Sequence, residues 1–189
     1  MESNRSFVGK ILVIIMAALI VTGCATKLSK PTREPMPAQV KLSEFRNVEM
    51  KAVGISESYA SAEANQKALR KIDEILFRDM RVFFPNFKRI EQSNDFSKGE
   101  ERTLQITPYI KEIKFIGGGA RFWVGAMAGS SAVLMQATFR DSSTGALIAD
   151  PEFYRSAGAY AGAWSIGSTD NRMLEDIAQD IVKYCSFNK

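Results

Sequence analysis

The chain has 189 residues, 46% hydrophobic and 24% charged, with no histidine, two cysteines and a formal net charge of +4. The missing histidine excludes Ser-His-Asp triads, imidazole general bases and imidazole metal sites. The charge argues against nucleic acid once it is located. Residues 1–23 carry Arg5 and Lys10 against Glu2, and residues 25–43 carry Lys27, Lys30, Arg33 and Lys41 against Glu34. That leaves 19 basic and 19 acidic residues in 44–189, a neutral domain without the clustered basic footprint that phosphate binding needs.

At the start, a basic lead precedes Ile11–Gly23, an apolar run of 13 residues. A charged lead, a short apolar core and a small-residue exit mark a secretory signal. Crossing a bilayer takes roughly 20 residues, so a cleaved signal is expected here and not an uncleaved span. The exit, Val21-Thr22-Gly23-Cys24, resembles the lipobox of bacterial lipoproteins. That resemblance implies cleavage before Cys24, a diacylglyceryl group on its thiol, an acylated amine and membrane attachment through that lipid. Ala25 and Thr26 supply no aspartate of the kind associated with inner-membrane retention in enteric bacteria, which implies the periplasmic face of the outer membrane. With Cys24 so used, Cys185 has no partner for an internal disulfide. It follows Ile177 and Ile181 at helical spacing, as a buried apolar residue would, the alternative being an intermolecular disulfide.

Residues 24–43 contain Pro31, Pro35 and Pro37, scattered charges and no aromatic residue, the composition of a semi-extended tether. Its excess positive charge serves either weak attraction to anionic head groups or simple solubility of the tether. Residues 44–189 are then expected to form a single domain. Val48, Met50 and Ala52 alternate and predict a first strand before Ile55. Ser58–Phe84 predicts a helix capped by Ser58 or Ser61, with Leu69, Ile72, Leu76, Met80 and Phe83 as its buried stripe. Glu63–Lys67, Arg70–Glu74 and Glu74–Arg78 form a solvated charge lattice at i, i+4. Pro85 stops the helix, and Phe87–Glu91 predicts a second strand.

Thr103–Ile116 reads as a long strand in which Pro108 marks an edge or a bulge. Ser131–Arg140 predicts another, and the turn Asp141–Gly145 returns Ala146–Tyr154 antiparallel to it. Asp170 is placed to cap a closing helix with Met173, Leu174, Ile177, Ile181 and Cys185 inward. The expected fold is α+β, a mixed sheet of about five strands with two helices on one face, in the order β-α-β-β-β-β-α.

Chemistry is sparse. Phe122–Phe139 is 18 residues without a charge, but its glycines, serines and Gln136 dilute it, and a glycine-rich turn leading into a buried strand explains it better than a membrane span. Gly117-Gly118-Gly119 lacks both phosphate-loop and dinucleotide spacing. Glu100–Glu101 and Asp150–Glu152 lie in or beside loops, and Ser130 and Ser131 lack a nucleophile-elbow frame. No cofactor and no metal are expected. In the Gly/Ala-rich stretch Ser156–Ser168, Tyr160 and Trp164 serve either as core packing or as anchors for a partner.

Arg121, Gly125, Gly129, the strand to Phe139, Asp141, Thr144-Gly145, the Gly-rich run and the terminal helix together resemble a family of bacterial lipoprotein domains of unknown function (DUF4410-like). The resemblance implies a layered domain similar to the N-terminal domain of TolB, and it carries no catalytic residues. The expected role is a non-enzymatic interaction or envelope-assembly module with an envelope protein partner, Arg121, Trp123, Tyr160 and Trp164 being its candidate contact residues. The alternative is a binding module for a cell-wall glycan or small ligand near Trp123 or Trp164, with an enzyme third.

Overall fold

Over Thr103–Lys114 every second side chain turns inward through Leu104, Ile106, Pro108 and Ile110, the period of a strand whose one face is buried. The computed structural model describes residues 28, 30–96, 102–115, 130–157 and 168–189. In chain order these give a 3-10 turn (Leu42–Glu44), β1 (Asn47–Lys51), β2 (Gly54–Ile55), α1 (Glu57–Ala60), α2 (Glu63–Phe83), β3 (Phe87–Ile90) and β4 (Thr103–Lys114). They continue with β5 (Ser131–Asp141), β6 (Leu147–Ala149), β7 (Glu152–Ala157) and α3 (Ser168–Phe187).

Among the described residues the seven strands form one open mixed sheet, in the order β3-β1-β4-β5-β6, with β2 also on β4 and β7 also on β5. β1 lies parallel to both β3 and β4, and β5 lies antiparallel to β4, β6 and β7. Five positions across the sheet are therefore filled by seven strands, because two positions are interrupted. Pro151, between β6 and β7, has no N–H to give a ladder. β1 and β2 are parted at Ala52–Val53, where Val53 N–H bonds the Asp73 carboxylate at 2.9 Å and Ala52 N–H bonds the Ile90 carbonyl at 2.8 Å.

That second break explains Pro108, which stands in a central strand and not at an edge. Pro108 is opposite Ala137, and the Ala137 N–H points away from β4 to the Pro151 carbonyl at 3.1 Å. The pair is thus a non-hydrogen-bonded one, so the donorless nitrogen of Pro108 faces the other neighbour. There the partner strand is interrupted between Lys51 and Gly54, and no ladder bond is lost. The bulge lies just beyond, between Ile110 and Glu112. Gly54 is required by close approach, since a Cβ would stand 2.7 Å from the Tyr109 ring.

α2 is rich in strong helix formers and buries Ala68, Ile72, Ile75, Leu76 and Met80, with Leu69 and Phe83 packed partly at its flanks. Its start differs from expectation. α1 ends at Ala60, and α2 begins after Ala62, so neither Ser58 nor Ser61 caps it. Phe84 before Pro85 is extended, which ends the helix as the proline requires. Of the charge lattice, Glu63 pairs with Lys67 at 2.7 Å, whereas Arg78 turns to Asp79 at 2.6 Å.

α3 buries Met173, Leu174, Ile177, Ile181 and Cys185 as expected, but it begins at Ser168, so Asp170 lies inside its first turn and is not the cap. The two long helices pack together on one face of the sheet. Lys71 reaches Glu175 near their starts, and Lys189 covers the Phe83 ring near their ends, so they run the same way. Ser131–Asp141 is a strand, and no described helix is long and apolar enough to cross a membrane. The rest of Phe122–Phe139, residues 122–129, lies outside the described residues. Gly145, at φ 71°, supplies the left-handed turn between β5 and β6.

Candidate functional site

The stretch expected to be a free tether is fastened to the domain over much of its length. Leu42 is fully buried in the core, and Leu28 is buried as well. Between them a strap runs along β7 and the end of α3. Tyr184 donates its hydroxyl to the Met36 carbonyl at 2.8 Å, and the Asn188 side-chain oxygen accepts from Ala38 N–H at 2.7 Å. Gln39 N–H bonds the Ile148 carbonyl at 3.0 Å, and Leu42 N–H bonds the Asn188 carbonyl at 2.8 Å.

These bonds draw on groups that the fold leaves over. Asn188 follows the last turn of α3, and its amide donates to the Tyr184 carbonyl at 2.8 Å, satisfying one of the carbonyls a helix end leaves unpaired. Ile148 belongs to the short edge strand β6, whose outer side would otherwise be open. Composition alone favours a spacer here, but leftover hydrogen-bonding groups at a helix end and a sheet edge hold it down. Tyr184 is itself locked between Phe139 and Phe153, with ring centroids at 5.6 and 5.8 Å. Burial and the neighbouring Cys185 push its hydroxyl up to about 12.

Two clefts flank the strap. One, of about 730 Å³, separates it from β7 and α3, and the other, of about 540 Å³, separates it from the open face of β4 and β5. In the first, Arg155 donates Nε and Nη2 to the two Asp180 oxygens at 2.5 and 2.6 Å. This fork-on-fork geometry ties β7 to α3 and holds the guanidinium above its ordinary value. In the second, Lys111 donates to Glu152 at 2.5 Å. Nearby, Asp150 accepts from Gln136 at 2.6 Å and Thr138 at 2.7 Å. Asp150 and Glu152 are thus engaged in structural contacts. Among the described residues no group of three or more side chains is placed to hold a metal ion.

At the opposite side of the strand ends, Arg102 joins Asp141 at 2.6 Å and Glu44 at 3.3 Å and lies over the Phe45 ring, 4.4 Å from its centroid. Burial would raise the Asp141 carboxyl, but bonds from Ser143 and Arg102 outweigh it and hold the group below its ordinary range. Cys185 is wholly buried, and burial pushes its thiol up. It behaves as a small apolar residue.

Val21, Thr22, Gly23 and Cys24 lie outside the described residues, as do Arg121, Trp123, Tyr160 and Trp164. The strands that flank the last four are described, and they converge. Lys114 at the end of β4 is opposite Ala132, and Ser131 at the start of β5 is opposite Ala157 at the end of β7. Both stretches therefore leave the sheet from one end, a juxtaposition set by strand order. The strap contacts have no local sequence signal, because Tyr184 and Asn188 stand 148 and 150 residues from Met36 and Ala38.

No family model matches the sequence, and no curated protein matches it. The DUF4410-like resemblance is therefore not among the matches. Solved structures do match in fold. A PelC dodecamer from Paraburkholderia phytofirmans superposes with a TM-score of 0.50 at 13% identity, covering 78% of this chain and 94% of that one. A point variant of that dodecamer, in a second crystal form, gives 0.50 at 12% identity, covering 82% and 95%. A minor lipoprotein from Acinetobacter baumannii gives 0.33 at 14% identity, covering 74% and 93%. At these identities the PelC likeness is one of fold.

Proposed function

We propose that this chain is a lipid-anchored protein of the bacterial envelope, held through Cys24 at the periplasmic face of the outer membrane, whose domain works by contact and not by catalysis. The observation that carries the reading is the strap. The chain that follows the lipobox-like Val21–Cys24 is fastened to the domain from Leu28 onward, so the domain travels with its anchor at short range. Of the carboxylates that line the two clefts, Asp180, Glu152 and Asp150 are engaged by Arg155, Lys111, Gln136 and Thr138, and Glu34 and Glu112 are left, a small set for acid–base work. The PelC protein of the same fold forms a dodecamer, and an envelope protein, either another copy or a different chain, is the partner proposed here. Trp123, Tyr160, Trp164 and Arg121 are its proposed contact residues, since aromatic and arginine side chains dominate interface energetics.

The test has two arms. A palmitate analogue should label the wild-type chain and not Cys24→Ala, which should leave the membrane fraction. A photocrosslinker replacing Trp164 should trap a discrete envelope protein in intact cells. Labelled, membrane-bound Cys24→Ala would refute the anchor. Saturable sedimentation with purified peptidoglycan, without any crosslinked protein, would favour glycan binding instead.

A further inference from the structure

The cleft between the strap and the β7–α3 edge has a rim that is apolar and cationic at once. Phe187, on this cleft, is 87% exposed, although the other large apolar residues of α3 are mostly buried, and Met36, on the strap where it borders the second cleft, is 71% exposed. Lys30, Arg33 and Lys183 line the first cleft and are exposed. Two of its carboxylates are engaged, Asp180 by Arg155 and Glu152 by Lys111, and Glu34 is the remaining one. The strap face, taken with the rim of this cleft, therefore presents net positive charge beside two large exposed apolar side chains, the composition of a surface that enters a lipid headgroup layer.

The covalent chain states what covers it. Cys24 is four residues from the buried Leu28, so even a fully extended connection keeps the Cys24 backbone, the attachment point of the lipid, within about 14 Å of Leu28. The strap that continues from Leu28 forms one wall of this cleft. We infer that the strap face lies against the bilayer, with Phe187 and Met36 in the headgroup layer and Lys30, Arg33 and Lys183 over anionic lipid phosphates. This orientation rests on the lipid anchor at Cys24 proposed above. It commits the opposite edge, β3 and the loop after it, to the aqueous side.

Full-length lipidated protein in vesicles of phosphatidylethanolamine and phosphatidylglycerol (3:1) tests it. The exposed Ser186 and, beyond the far edge, the exposed Ser93 are changed singly to cysteine and labelled with an environment-sensitive fluorophore. Cys185 is buried and does not compete for the label. Headgroup-depth nitroxide lipid should quench the Ser186→Cys label at least two-fold and leave the Ser93→Cys label unchanged. Adding Phe187→Ser, Met36→Ser and Lys183→Glu should bring the first label to the level of the second while the protein still floats with vesicles. Flotation with equal, weak quenching at both labels would overturn the orientation and leave the anchor standing. Shielding of the Ser186→Cys label from iodide without lipid quenching would mean that another protein copy covers the face, and would overturn it too. Failure to float would remove the anchor and the orientation together.

Discussion

The Tyr184 hydroxyl reaches the Met36 carbonyl at 2.8 Å across 148 residues of chain. One side chain thereby joins the core, through Phe139 and Phe153, to the segment that leads toward Cys24. How firmly the domain is held to that segment depends on a small number of such contacts.

Tyr184→Phe keeps the ring packing and removes the bond to Met36. A typical intramolecular hydrogen bond contributes about 0.5–1.5 kcal/mol, so urea unfolding should show a loss in that range. Proteolysis within Lys30–Met36 should accelerate more than global unfolding does. Equal acceleration of both would mean that the strap is not separately held.

Asp141 sets an acid limit. Its folded pKa lies below the unfolded value of about 3.9. A group depressed on folding contributes stability that is present above the unfolded value and lost as pH falls through the folded one. The wild type should therefore lose urea stability between about pH 4 and the acid extreme more steeply than Asp141→Asn. Parallel pH profiles would contradict this assignment.

In a Cys24→Ala background, Cys185 should be silent toward thiol reagents in the native protein and titrate as one thiol after denaturation, because it is wholly buried. Ellman's reagent before and after guanidinium checks this. A native thiol signal, or a reducible dimer on electrophoresis, would contradict the packing.

Leu76 sits at full burial among the helices and the sheet. Leu76→Ala should cost about 2–5 kcal/mol, from lost transfer energy and the cavity left behind. Lys67→Ala, which breaks an exposed i, i+4 pair, should cost no more than about 0.5 kcal/mol. Comparable losses would mean that the exposed face of α2 is engaged elsewhere.

Elements whose signal is local are legible in the amino-acid order. Burial at period two in β4 and at three-to-four spacing in α2 and α3 follows from which side chains are apolar, and Pro85 and Gly145 end and turn the chain through their own backbone chemistry. Equally legible is what the chain lacks, above all histidine. The remaining features have non-local causes, and only the folded arrangement decides them. Pro108 is tolerated in a central strand only because β1 and β2 part opposite it, which depends on Asp73 and Ile90 taking up the freed N–H groups. Both serines before α2 look like caps in the sequence, while the turn through Ser61–Ala62 leaves them outside the helix. The proline-rich stretch reads as a spacer by composition, yet Tyr184, Asn188 and Ile148 hold it with hydrogen bonds that no nearby residue announces.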